Sequence, residues 1–71
     1  MRNLTLRQKR YIKQWFNEAW KGAGSIYSIE QMPQDMQDTL EAMNDHETLW
    51  QNADRYIADI AMERVYNNSR Q

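Results

Sequence analysis

Apolar positions in the first third of the chain recur with helical spacing. Leu4, Tyr11, Ile12, Trp15, Phe16, Ala19 and Trp20 fall within roughly half of a wheel drawn at 100° per residue. Arg7, Lys9, Arg10, Lys13 and Lys21 occupy the other half. The pattern predicts a helix over residues 5–21 with an aromatic face and a basic face. Thr5 is placed to cap it, with Gln8 reaching back in a T-x-x-Q capping box and Leu4 before the cap as half of a hydrophobic staple. Gly22 and Gly24 are expected to end it, because glycine adopts a left-handed cap at little cost.

A second stripe follows. Met32, Met36, Leu40 and Met43 recur at helical spacings, with Asp35, Asp38 and Glu41 off the stripe, and Pro33 suits the first position of a helix. This predicts a second helix over residues 33–43. Asn44 offers a left-handed cap and a start for the next helix with Glu47, although nothing at Asn44-Asp45 forbids one continuous helix. The third helix is expected over residues 45–68, with Leu49, Trp50, Ala53, Tyr56, Ile57, Ile60 and Ala61 inward and Val65 at the edge. At about 1.5 Å per residue it spans roughly 35 Å, so its end is expected to project past its neighbours. In the connection, Ser28-x-x-Gln31 fits a second capping box, and Ile26, Tyr27 and Ile29 are too apolar for a free loop. The expected fold is all-α: a three-helix bundle, third helix longest, forming a single small domain over residues 1–71 with 69–71 as a frayed tail.

Composition sharpens this picture. A chain of 71 residues buries a marginal core, and with no cysteine it has neither disulfide nor thiolate-zinc site to staple it. Mean hydropathy is −1.02, and no apolar run approaches the roughly 20 residues a bilayer requires. The Met1-Arg2-Asn3 start leads into charged residues, unlike a signal peptide. A cytoplasmic protein is therefore expected, with no membrane partner. The net charge of −1 conceals a split: residues 1–21 carry six basic residues against Glu18, whereas residues 22–71 carry three arginines against nine acids. Such asymmetry marks either a surface for an anionic partner or two surfaces that attract each other.

Chemistry-bearing motifs are sparse. His46 is the sole histidine; one imidazole with scattered carboxylates does not make a metal site, and packing on Trp50 is its expected role. Ser25, Ser28 and Ser69 have no motif pairing them with that histidine. No enzyme activity, small-molecule substrate, metal or cofactor is expected.

Leu4-Thr5-Leu6-Arg7-Gln8-Lys9-Arg10-Tyr11-Ile12 resembles the LT-x-K/R-Q-x-R-F/Y-I opening of bacteriophage small terminase subunits, a family that binds DNA through an N-terminal helical domain. The resemblance covers residues 4–12; the Asn-Ala-Thr and Ala-Gly-Tyr elements that follow in that family are missing, which makes it a shared capping and amphipathic pattern rather than membership. In size and composition the chain is similar to small phage accessory proteins. The expected function is a small non-enzymatic protein-interaction module that self-associates or binds a host or partner protein, with Met32, Met36, Met43, Tyr56, Arg64 and Tyr66 as the candidate interface. The alternative is nucleic-acid binding by Arg7, Lys9, Arg10, Lys13 and Lys21, against which stands a basic helix that comes first and a second helix that is acidic.

Overall fold

Thr5 and Gln8 start the first helix as the capping box requires. The Gln8 N–H donates to Thr5 Oγ1 at 3.1 Å, and the Thr5 N–H donates to Gln8 Oε1 at 3.1 Å. In a computed structural model, which describes residues 4–23 and 25–69, the chain forms helices α1 (Leu6–Ala23), α2 (Gln34–Met43) and α3 (Leu49–Ser69), with a 3₁₀ turn, Ile29–Gln31, before α2. Among the described residues there is no strand. The architecture is an all-α three-helix bundle with the third helix longest, at 21 residues.

α1 is the central element. It contacts both α2 and α3, while the 3₁₀ turn leans on α3. Ile12 and Phe16 of α1, Leu40 of α2, and Leu49 and Ile57 of α3 are wholly buried. Trp15, Ala53 and Ala61 complete the centre, and Tyr11, Ala19, Trp20, Trp50, Tyr56 and Ile60 are half-buried around it. Leu4 is buried but does not staple α1 to itself, because the residue one turn into the helix is Lys9. It faces α3 instead, in a cleft shared with Asn52 and Tyr56.

The helix ends depart from the expected positions. α1 runs through Gly22 to Ala23, so Gly22 does not stop it, and Gly24 lies outside the described residues. Pro33 sits just before α2 (φ −56°, ψ 147°), its carbonyl accepting from the N–H groups of Met36 and Gln37 at 3.0 Å each. α2 and α3 are separate helices. Asn44 is extended (φ −170°, ψ 91°) rather than left-handed, and residues 44–48 form a joint in which the Leu49 N–H donates to the His46 carbonyl at 3.0 Å. The third helix therefore begins at Leu49 and not at residue 45. At its far end it continues through Ser69, and residues 70–71 of the expected frayed tail lie outside the described ones.

Side-chain amides hold the irregular backbone. Gln8 is wholly buried. Its Nε2 donates to the carbonyls of Leu40 and Asn44 at 3.0 Å each, answering carbonyls that the end of a helix leaves without partners. The second capping box forms as expected: the Glu30 N–H donates to Ser28 Oγ at 3.2 Å and the Ser28 N–H donates to Gln31 Oε1 at 3.0 Å. Gln37 Nε2 donates to the Met32 carbonyl at 2.7 Å, and the Ile29 N–H donates to Asp54 Oδ1 at 3.1 Å, tying the 3₁₀ turn to α3. Ile26 and Ile29 are buried as expected, but Tyr27 is exposed, touching Trp20 edge-on.

Candidate interaction surfaces

The apolar stripe of α1 turns its basic half outward by geometry. Arg7, Lys9, Arg10, Lys13 and Lys21 are all exposed. Lys21 lies 3.7 Å from Glu18, an exposed pair on the same helix of a kind that contributes little. Among the described residues no other ion pair forms, so the cations of α1 are not neutralised by Asp35, Asp38, Glu41 or Asp59. α2 packs on α1 through Leu40, Met36 and Met43, and this packing sends its carboxylates to the opposite side. Arg55, which the sequence pattern did not single out, joins Lys9 in a cleft with Tyr56 and Asp59. Leu6, 63% exposed, lies one turn before Arg10 on the same face.

The three candidate methionines are covered to different degrees. Met32 is buried at the end of the 3₁₀ turn, with its N–H donating to the Ile29 carbonyl at 3.0 Å. Met36 and Met43 are half-buried against the core, and Met36 shares a small cleft with Tyr11 and Trp15. The expected interface therefore loses Met32 to the interior, because the chain reaches it through a 3₁₀ turn and not along α2.

Arg64 also has an internal role. Its guanidinium donates to Asn17 Oδ1 and lies over the rings of Phe16 and Trp20, 5.3 and 5.7 Å from their centroids. It clamps the end of α3 to α1. Tyr56 is half-buried, and burial, helped by the negative charge of Glu63, raises its phenol above the ordinary value of 10.0. Beyond the clamp α3 is poorly covered: Met62 is 72% exposed, Tyr66 60%, and Val65 is exposed as well. Met62 lies off the predicted inward stripe, yet Ala58, Met62 and Val65 are spaced by four and three, the rhythm of a helix–helix seam.

His46 sits at the α2–α3 joint. Its ring Nδ1 is 3.1 Å from Thr48 Oγ1, and its Nε2 is buried at the α2–α3 joint with no hydrogen-bond partner among the described residues. Among those residues no three His, Asp or Glu groups are placed to hold a metal ion, and no helix is long and apolar enough to cross a membrane. No protein family matches the chain, and no curated protein or solved structure shows significant similarity to it.

Proposed function

We propose that this chain is a small non-enzymatic protein-interaction module that self-associates through the outward face of the end of α3. The observation that carries this reading is the exposure of Met62, Val65 and Tyr66 on one stretch of helix. A bundle with a small core gains most from covering such residues. A chain without cysteine is compatible with a reducing, cytoplasmic setting. The expected result is a concentration-dependent rise in mass by light scattering. Met62→Glu should weaken it roughly tenfold or more through lost apolar burial. Because Met62 is exposed in the monomer, the same change should leave monomer stability within about 0.5 kcal/mol. A mass that stays monomeric at every concentration would turn the reading toward a host or partner protein.

The exposed cations of α1 favour a second reading, nucleic-acid binding through contacts to the phosphate backbone. Its expected signature is a shift of labelled duplex DNA or RNA at low salt that weakens steeply as salt rises and disappears when Arg7, Arg10 and Lys13 are replaced by glutamate. No shift at low salt would dismiss it.

A further inference from the structure

Two charged stripes of matching spacing face away from each other on adjacent helices. On α1, Arg7, Arg10 and Lys13 recur every three residues; on α2, Asp35, Asp38 and Glu41 do the same. At about 1.5 Å per residue each stripe sets its charges roughly 4.5 Å apart along the axis. All six side chains are exposed, and none takes part in an ion pair among the described residues. They cannot meet within one chain, because α1 and α2 touch through their buried faces and the stripes lie on the outer ones. Asp38 Oδ1 accepts from the neutral Gln34 amide at 3.0 Å, which leaves its charge uncompensated. Leu6, one turn before Arg10, and the exposed Ala42, one turn after Asp38, place an apolar side chain on each charged face.

We infer that the basic face of α1 docks on the acidic face of α2 of a second copy. This rests on the self-association reading and supplies what the apolar end of α3 lacks, a device for orientation. Exposed charges contribute modestly to affinity, but complementary stripes steer encounter and fix register. The partner is a second copy because the chain itself carries the complement, with the same sign pattern and the same three-residue repeat. Because the two stripes face away from each other the contact runs head to tail, and it closes as a ring only if the rotation between successive copies closes.

Charge reversal tests this in pairs. One variant carries Arg7→Glu, Arg10→Glu and Lys13→Glu; the other carries Asp35→Lys, Asp38→Lys and Glu41→Lys. Each set of residues is exposed, and circular dichroism checks that both variants keep the helical fold. By sedimentation velocity at low salt, the wild type is expected to associate and to do so at least tenfold more weakly at high salt. Each variant alone should associate at least tenfold more weakly than the wild type, and an equal mixture of the two should recover the association. Variants that self-associate like the wild type would overturn this contact while leaving the α3 reading in place, whereas a wild type monomeric at every concentration and salt would overturn both. A wild type that stays monomeric yet binds labelled duplex DNA through Arg7, Arg10 and Lys13 would assign the face to nucleic acid instead.

Discussion

Replacing Gln8 with leucine is expected to cost roughly 3 kcal/mol or more, although leucine fits the apolar surroundings. The side chain is wholly buried, and its amide serves the Thr5 N–H and the carbonyls of Leu40 and Asn44. Leucine leaves all three backbone groups without their partner, and a buried polar group stripped of its hydrogen bond costs about 1–3 kcal/mol. Small domains hold only about 5 kcal/mol or somewhat more in total, so a fall in melting temperature of at least about 10 °C is expected. Thermal unfolding followed by circular dichroism measures it, and a fall of less than about 4 °C would mean that water replaces the amide.

Gln8→Glu separates the two ends of this side chain. The introduced carboxylate still accepts from the Thr5 N–H but presents negative charge to the Leu40 and Asn44 carbonyls. Burial and those carbonyls both favour its neutral form, so its folded pKa lies above the unfolded value of about 4.3. A group raised in this way adds stability below the unfolded pKa and loses it as pH rises through the folded one. Measured against Gln8→Leu at each pH, the Gln8→Glu variant should therefore be the less stable at pH 7 and should gain as pH falls toward 4.

Gln8 also shows where a sequence stops being informative. Its half of the capping box is a relation between residues three apart, and it is legible from the chain alone. Its bonds to Leu40 and Asn44 span 32 and 36 residues, and no local pattern encodes them. The same division runs through the rest of the fold. The apolar faces of α1 and α3 and the Ser28 cap follow from periodicity and side-chain chemistry. The late start of α3 does not, because Asn44 is extended where an isolated helix end would favour a left-handed turn. The basic face is legible as a face, but the absence of ion pairs between it and α2 among the described residues depends on which side of α2 meets α1. Met62 lies off the inward stripe of α3, so that stripe gives no reason to single it out, and Met32 continues the α2 stripe in sequence but ends the 3₁₀ turn, before the helix that starts at Gln34. Errors of this kind fall where a side chain's partner lies on another element.

Phe16→Ala should be about as damaging as the Gln8 change, at about 3–5 kcal/mol, the usual cost of truncating a buried phenylalanine. Phe16 is 1% exposed, its ring is 5.3 Å from that of Trp20, and Arg64 of α3 lies over it. Losing the ring opens a cavity and removes one surface on which the guanidinium rests. The clamp itself is isolated by a double-mutant cycle between Phe16→Leu and Arg64→Met, which keeps most of the packing volume on both sides. A coupling of about 0.5–1 kcal/mol is expected, the range of a partly exposed cation over an aromatic ring. A coupling near zero would leave the hydrogen bond to Asn17 and the contact with the Trp20 ring as the tether. The clamp also bears on association. Met62, Val65 and Tyr66 flank Arg64 on the outward side of α3, and the regularity of that face depends on the helix staying docked. Arg64→Ala should therefore speed amide hydrogen exchange over residues 62–67 in the monomer and weaken self-association, by loosening the helix whose guanidinium rests on the α1 rings. Unchanged exchange combined with weakened association would instead make Arg64 a direct contact, and unchanged association would show that the apolar face of α3 holds its shape without the clamp.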